Sequence, residues 1–173
     1  MPRCKICKDK FNVKFFLQKT CLETSCIIEY KNKVKADEWK AEKKVLKEKL
    51  KTNADYVREL QVIFNRFIRM RDVDKGCISC GTPLVGKFDA GHYRSCGSSP
   101  ELRFKEANVA GQCVYCNQHL HGNLIEYRKG LIKRIGLEEV ELLENHIIPM
   151  KYSIPELIEL KVIYKDKIKK LKL

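Results

Sequence analysis

The sequence predicts an α+β fold in which a small zinc-stapled core is flanked by helices and preceded by an N-terminal zinc finger. Three observations support this prediction. Eight of the nine cysteines form two sets with the spacing of zinc ligands. Short strand-like segments lie within these sets, and longer segments with helical periodicity or helix-forming composition lie outside them.

Residues 1–30 are expected to form the finger. Its four candidate zinc ligands are Cys4, Cys7, Cys21 and Cys26. Two short ligand pairs separated by 13 residues resemble a small zinc ribbon, in which two turns present thiolates to one ion. The segment Phe11–Phe16 between the pairs predicts a short strand or hairpin. Structural or free thiols remain the alternative for these cysteines.

Residues 31–72 are expected to form two helices of different character. Residues 31–52 are rich in Lys, Glu and Ala and contain no Gly or Pro, which predicts an exposed basic linker helix. Residues 53–72 carry an apolar stripe at helical spacing, which should pack on the core. The stripe consists of Val57, Leu60, Ile63, Phe64, Phe67, Ile68 and Met70.

Residues 73–136 are expected to form the core. A second set of zinc ligands consists of Cys77, Cys80, Cys113 and Cys116. Lys87–Asp89 predicts a strand that enters this site, and the second cysteine pair opens a short helical turn. Cys96 is left over in a loop without an evident partner base, so it is read as incidental.

A helix is predicted from Leu124 to about Ile135. Asn123 and Glu126 have the spacing of an N-cap and its N3 partner, and Gly136 is placed to end the helix. Asn is common at the start of a helix because its side chain accepts from free backbone N–H groups. Gly is common at the end because it tolerates left-handed backbone.

Residues 137–173 are predicted to be helical. One segment runs from Leu137 to about Ile147 and ends near Pro149. Another begins at Ser153 with a capping box to Glu156. Its apolar stripe is formed by Leu157, Leu160, Ile163, Tyr164, Ile168 and Leu171. Packing on the core and a dimer contact are both open interpretations of this stripe.

The charge balance favours a polyanionic partner. Lys+Arg number 35 against 22 Asp+Glu, a net charge of +13. Residues 1–52 carry a net +8 and residues 77–136 a net +4. Such an excess attracts DNA or RNA through counterion release, although a solvated basic surface is the alternative.

The cysteine usage favours metal chemistry in a reducing compartment, so a cytoplasmic location is expected. No signal peptide and no run of about 18 apolar residues is visible, which argues against a membrane partner. A thiol redox protein is a weak alternative because no thioredoxin-like pattern surrounds the pairs.

Between the two core cysteine pairs lie the side chains that favour an enzyme. His92 could take a proton from water, and Asp89 and Asn117 offer hard oxygen ligands for Mg²⁺ or Mn²⁺. Such an ion would neutralise charge developing on a phosphate during hydrolysis. A lone histidine is more often structural, but the flanking acid and zinc ligands favour the functional reading.

Several motifs together resemble the NinG/Rap recombination proteins of lambdoid phages. They are Cys77-Ile-Ser-Cys80, Asp89-Ala-Gly-His92, Pro100-Glu-Leu-Arg-Phe104, Asn108, Gln112-Cys113, Cys116-Asn117 and Tyr127-Arg128. The resemblance implies an HNH (ββα-metal) endonuclease that cuts branched recombination intermediates, Holliday junctions and D-loops. It also implies the host cell cytoplasm, a homodimer that makes paired cuts, and contact with other recombination proteins.

The same resemblance implies roles for individual residues. His92 would be the general base, Asn108 would hold the loop that orients it, and Asn117 would replace the final histidine of the motif. Many HNH enzymes carry an acid directly before the base, whereas this chain has Gly91 there and Asp89 two positions earlier. Asp89 therefore either binds the ion or orients the base. His119, His121 and Asn123 lie close enough to Asn117 in sequence to be further ligands of the divalent ion, and His121 and Asn123 are the preferred candidates.

Basic side chains around this site are expected to contact DNA phosphates without reading base sequence. They are Arg94, Arg103, Arg128, Lys129, Lys133 and Arg134. The rival interpretation is a non-enzymatic zinc module that binds DNA or a recombination partner. It explains the charge and the paired cysteines without a role for His92 or Asn117.

Overall fold

The computed structural model describes residues 1–145 and 150–171, and it has the mixed helix-and-sheet composition that the sequence predicts. The chain divides into two compact units, Met1–Lys51 and Thr52–Leu173. Within the described residues, no helix is long and apolar enough to cross a membrane. Each unit contains one of the cysteine sets, so each is described separately.

The first unit consists of an irregular N-terminal segment and one helix, α1 (Thr24–Lys49). The prediction of a strand or hairpin at Phe11–Phe16 is wrong, because the only pairing in this segment among the described residues is an isolated bridge between Arg3 and Lys10. Phe11 instead packs on the buried cysteines. Helix α1 also begins earlier than residue 31, with Cys26 in its first turn.

The second unit begins with α2 (Asn53–Asp72), which packs against α5 (Ile154–Lys170). The predicted apolar stripe of α2 supplies the largest buried cluster. That cluster contains Leu60, Phe64, Phe67, Ile68, Phe104, Val109, Leu157, Tyr164 and Ile168. The predicted capping box of α5 is confirmed, since the Ser153 side chain accepts from the Glu156 backbone and the Glu156 carboxylate accepts from the Ser153 N–H.

Two antiparallel strands, β1 (Phe88–His92) and β2 (Val109–Cys113), form the sheet, with His92 opposite Val109 and Phe88 opposite Cys113. Short 3-10 turns at Pro100–Leu102 and Glu106–Asn108 shape the loop between them. A π-helical turn, Tyr115–His119, follows β2.

Two further helices complete the second unit, α3 (Leu124–Ile135) and α4 (Leu137–Glu144). Gly136 ends α3 with a φ of 88°, as predicted. Asn123 stands at the N-cap, but its side chain makes no capping hydrogen bond, so that detail of the prediction is wrong. The predicted extension of α4 to Ile147 and its end near Pro149 lie outside the described residues.

Asp72 connects α2, the sheet and α3 from a fully buried position at the end of α2. Its carboxylate accepts from the Gly111 N–H at 2.9 Å and pairs with Arg71, Lys75 and Arg134 at 2.7–3.1 Å. Burial opposes ionisation, but these partners hold the pKa of Asp72 well below its usual range. The strands are therefore attached to the helices by an ion-pair network as well as by apolar packing.

Candidate active site

Two cysteine tetrads have the dimensions of zinc sites. In each, the four sulfur atoms lie within 4.8 Å of one another. Cys7 and Cys21 Sγ are 3.8 Å apart in the finger, and Cys80 and Cys113 Sγ are 3.8 Å apart in the core. A tetrahedron with zinc–sulfur bonds of about 2.3 Å has edges of about 3.8 Å, whereas a disulfide needs about 2.05 Å. Both sets therefore fit zinc ions.

The two tetrads share the same backbone turn at their first cysteine pair. In the core, the Gly81 N–H donates to the Cys77 carbonyl, and the Cys77 N–H donates to the Thr82 carbonyl, each at 2.8 Å. In the finger, Cys4 makes the equivalent bonds with Lys8 and Asp9 at 3.1 and 2.9 Å. The turn requires left-handed backbone at its fifth residue. A glycine supplies it in the core and a lysine in the finger.

The thiols of the core tetrad need a cation to ionise together. Burial opposes ionisation of Cys80, but hydrogen bonds with the side chain and backbone of Thr82 lower its pKa to about 6. Burial and the neighbouring thiols of Cys113 and Cys80 raise the pKa of Cys116 to about 12. A divalent ion would balance the four thiolates, since zinc ligands bind in their deprotonated form.

The imidazole of His92 is fixed at the end of β1. Its Nε2 lies 3.0 Å from the backbone carbonyl oxygen of Arg103. Because a carbonyl only accepts hydrogen bonds, this contact assigns the hydrogen to Nε2 and leaves Nδ1 as the basic nitrogen. Burial lowers the pKa of His92, so the ring is neutral near pH 7.

Asn108 holds the loop that follows β1. Its side chain is fully buried, its Oδ1 accepts from the Arg94 N–H at 2.8 Å, and its Nδ2 donates to the Arg94 and Leu102 carbonyls. Leu102 directly precedes Arg103, whose carbonyl contacts the imidazole of His92. The Asn108 amide thus binds the residue next to Arg103, the residue whose carbonyl orients His92.

Asp89 and Asn117 are in direct contact. The Asp89 Oδ2 accepts from the Asn117 Nδ2 at 2.9 Å and from the Gln118 Nε2 at 2.8 Å. Asn117 follows the last cysteine of the core tetrad, so the tetrad and the π-helical turn determine its position. A carboxylate beside an amide oxygen is a suitable donor set for a hard divalent ion.

Asn117 lines a cavity together with the histidine, whereas Asp89 does not. Successive strand residues point to opposite faces, so Ala90 and His92 share one face of β1 and Asp89 lies on the other. A cavity of about 550 Å³ opens on the His92 face. Its lining includes His92, Arg94, Asn117 and His121, so it gathers a base, a cation and an amide.

Gly91 has no room for a side chain. A Cβ atom there would lie 2.2 Å from the Gln112 Oε1 and 3.1 Å from its Cδ. Gln112 is itself fully buried, and its Nε2 donates to the Ser79 hydroxyl and the Gly122 carbonyl. The position before the histidine therefore faces the interior in this chain, and an acidic side chain would not fit there.

The remaining predicted site residues differ in their surroundings. Asn123 does not line the cavity; its Nδ2 lies 3.6 Å from the Cys116 Sγ.

Four of the predicted DNA-contacting side chains are engaged elsewhere. Arg103 donates to Gln61 and to the Cys96 carbonyl, Arg128 pairs with Glu144, Lys129 pairs with Glu126, and Arg134 pairs with Asp72. No described carboxylate lies within ion-pair distance of Arg94 or Lys133.

Comparison with known proteins decides the family. The model of the family described as "Bacteriophage Lambda NinG protein" matches residues 1–173. The chain belongs to the NinG family. A Protein ninG of Escherichia phage 933W is 38% identical, covering 98% of this chain and 93% of that protein. The Protein ninG of Escherichia phage lambda is 44% identical over 75% of this chain and 63% of its own length. No solved structure matches the chain.

Several contacts of this NinG-family site were not expected from the sequence. The Arg103 carbonyl, Gln118 and Tyr127 contact the predicted residues or the backbone beside them, and Gln112 packs against Gly91. Tyr127 is fully buried and donates to the Gly91 carbonyl at 2.8 Å. A backbone carbonyl has no sequence signature, so the partner of His92 could not have been identified from residue types.

Proposed function

We propose that this chain is a metal-dependent endonuclease of the HNH (ββα-metal) class that cuts branched DNA during phage recombination. The observation that carries the proposal is His92, a neutral imidazole oriented by a backbone carbonyl in a cavity that Asn117, the partner of Asp89, also lines. The order of β1, β2 and α3 around the core tetrad supports the HNH assignment. Zinc in the tetrad would position the strands and take no part in the chemistry.

His92 would act as the general base. With Nε2 donating to the Arg103 carbonyl, Nδ1 would be the nitrogen that takes a proton from an attacking water molecule. The lowered pKa of His92 keeps that nitrogen unprotonated at neutral pH. Asn108 would act as a positioning residue, because it holds the loop that carries the Arg103 carbonyl.

Asp89 and Asn117 would hold the catalytic Mg²⁺ or Mn²⁺, with His121 at the cavity wall as a further candidate ligand. The bound ion would neutralise charge that develops on the scissile phosphate. The Asp89 carboxylate and the Asn117 amide oxygen would be the groups that hold the ion. Asp89 thus serves the ion, and orientation of His92 falls to the Arg103 carbonyl.

Arg94 is the cation best placed to bind the substrate phosphate. It lines the cavity with His92, and its Nε is buried without a hydrogen-bond partner among residues 1–145 and 150–171. Lys133, on α3, offers a second cation without an ion-pair partner among the described residues, although it lines a separate cavity with Cys77 and Gly130. Contacts to phosphates fix the DNA without reading its sequence, which suits selection by branch geometry. Two cuts are needed to resolve a four-way junction, so a homodimer is the expected acting form.

The decisive experiment compares cleavage of a labelled four-way junction and a matched linear duplex in Mg²⁺. Wild type should cut the junction selectively, and His92→Ala should lower the rate about 10²- to 10⁴-fold, as loss of a general base does. His119→Ala is the matched control, because His119 is exposed and does not line the cavity. Junction binding without cleavage by wild type would instead support the non-enzymatic zinc module.

A further inference from the structure

The finger carries an exposed apolar tip, formed by Phe15, Phe16 and Leu17. These side chains are 58%, 90% and 65% exposed. In contrast, Phe11 of the same segment is buried against Cys4 and Cys26. The small core of the finger therefore does not use the tip, and three adjacent large apolar side chains face solvent. Such a group of exposed side chains indicates an interaction site.

The turn that bears the tip is held from beneath by Gln18. Gln18 is only 8% exposed, its Oε1 accepts from the Lys14 N–H at 2.8 Å, and its Nε2 donates to the Thr20 carbonyl at 2.8 Å. The Gln18 N–H also donates to the Phe15 carbonyl at 3.3 Å. The amide thus closes a loop whose outward side is the tip.

The backbone of the tip is strained. Leu17 has a φ of 60°, a left-handed conformation that a non-glycine residue adopts at a cost. Strain of this kind persists where the surrounding structure enforces it, and it is found preferentially at functional positions. Here the bonds of Gln18 enforce it and keep the leucine and both phenylalanines outside the finger.

The segment that bears the tip is strongly basic. Residues 1–20 contain six basic side chains and one acidic side chain, a net charge of +5. The basic side chains are Arg3, Lys5, Lys8, Lys10, Lys14 and Lys19. All six are exposed, and none forms an ion pair with a carboxylate in the part of the chain that the structure describes. Aromatic rings within a positive field are the combination that binds unpaired nucleic-acid bases and their phosphates.

We infer that the tip is a base-stacking site, at which Phe16 and Phe15 stack on unpaired bases of DNA while the surrounding lysines contact phosphates. A branched molecule offers such bases at or next to its branch point. The inference uses the proposed function only in taking DNA as the partner. It assigns the finger a role in recognising the branch, separate from the chemistry at His92.

The test measures binding of the full-length protein to a four-way junction and to single-stranded DNA, without added Mg²⁺. Phe16→Ala should weaken both roughly 5- to 150-fold, the range for loss of one stacked base. Phe16→Trp should retain binding, and Phe16→Leu should lose it as Ala does, because leucine has no π face. The dependence on salt should keep its slope in Phe16→Ala, since no phosphate contact is removed.

Trp39→Ala is the matched control, because Trp39 is another exposed aromatic side chain of the first unit, 58% exposed on α1. It should bind as wild type does. A 2-aminopurine base at the branch point should be quenched by wild type and not by Phe16→Ala. Unchanged zinc content in every variant shows that the finger still folds.

The inference is overturned if Phe16→Ala binds both DNAs as wild type does, or if Phe16→Leu restores binding. It is also overturned if Phe16→Ala keeps DNA binding but loses affinity for vesicles of phosphatidylserine and phosphatidylcholine, which would assign the tip to a membrane surface. These outcomes are independent of cleavage. A wild type that binds DNA but never cuts would refute the nuclease proposal and leave this comparison intact.

Discussion

The two cysteine tetrads are nearly the same site placed in two different settings. Both have sulfur atoms within 4.8 Å of one another, one pair of sulfur atoms 3.8 Å apart, and the same order of burial along the chain. Both use the same hydrogen-bonded turn at the first cysteine pair. Ligand chemistry alone therefore does not separate the finger from the core.

The settings differ in the apolar packing beyond the sulfur atoms, since the core tetrad also has only a small cluster of its own, Cys77, Leu84 and Cys116. The finger's buried cluster consists of Cys4, Phe11 and Cys26, so most of it is ligand. In the second unit, the large cluster between α2 and α5 and the cluster around Tyr127 contain no cysteine. The core tetrad only holds the base of the strand pair, whose β1 carries His92, and the π-helical turn that carries Asn117. The comparison indicates that zinc would be the main source of stability in the finger, whereas in the second unit it would only cross-link one end of the sheet.

Removal of zinc should separate the two units most strongly. Zinc-binding free energy in small fingers is about 10–16 kcal/mol and is largely folding free energy. A chelator should abolish amide hydrogen-exchange protection in residues 1–26, while amides of α2 and α5 remain protected. Loss of protection in both units at the same free zinc concentration would contradict the distinction.

Asp72 should account for much of the metal-independent stability of the second unit. Asp72→Ala leaves Arg71 and Arg134 without their buried carboxylate, which should lower the free energy of unfolding by about 3–5 kcal/mol. Asp74→Ala is the control, because Asp74 is exposed and should change stability by less than about 0.5 kcal/mol. Urea denaturation measures both, and equal effects would show that the network contributes nothing special.

Substitution of Gly91 tests how tightly β1 packs against the buried side chain of Gln112. Gly91→Ala forces the Gln112 amide to move, which should lower the free energy of unfolding by about 1–3 kcal/mol. Gly97→Ala provides the control, since the nearest atom to its added Cβ is the Ser95 Oγ at 3.9 Å. Thermal denaturation at matched zinc would reveal the difference. A neutral Gly91→Ala would mean that Gln112 adapts freely.

Exchanging the residue type at the fifth position of the shared turn should have the smallest effect, and it compares the two sites directly. Lys8 in the finger and Gly81 in the core occupy equivalent positions with φ of 69° and 74°. Lys8→Gly should raise zinc affinity of the finger by about 1 kcal/mol, and Gly81→Ala should lower that of the core by a similar amount. Competition with a zinc chelator measures both. Changes of the same sign would show that the two turns are not equivalent.

The sequence predicted the parts of this molecule that depend on local spacing. The cysteine pairs, the apolar stripe of α2, the capping box at Ser153 and the cap at Gly136 all follow from contacts between near neighbours. The predicted roles of His92, Asn108 and Asn117 remain proposals, although the structure brings His92 and Asn117 to one cavity.

Features that depend on a distant or unusual partner were not predicted. Phe11–Phe16 has the composition of a strand, but the side-chain amide of Gln18 accepts from the Lys14 N–H within it. Asn123 has the spacing of an N-cap, but its amide faces the Cys116 sulfur. In both cases an amide side chain could form several different hydrogen bonds, and its partner was determined by the three-dimensional structure rather than by sequence spacing.

The most direct test of this account compares one finger variant and one core variant in a single assay. Cys26→Ser and Cys116→Ser each remove a buried thiol from one tetrad. At saturating junction DNA, Cys26→Ser should cut at a rate close to that of wild type, although it needs more DNA to saturate. Cys116→Ser should not cut, because Asn117 and the strand pair lose their support. Cleavage by Cys116→Ser, or its loss in Cys26→Ser at saturation, would contradict the assignment of chemistry to the core.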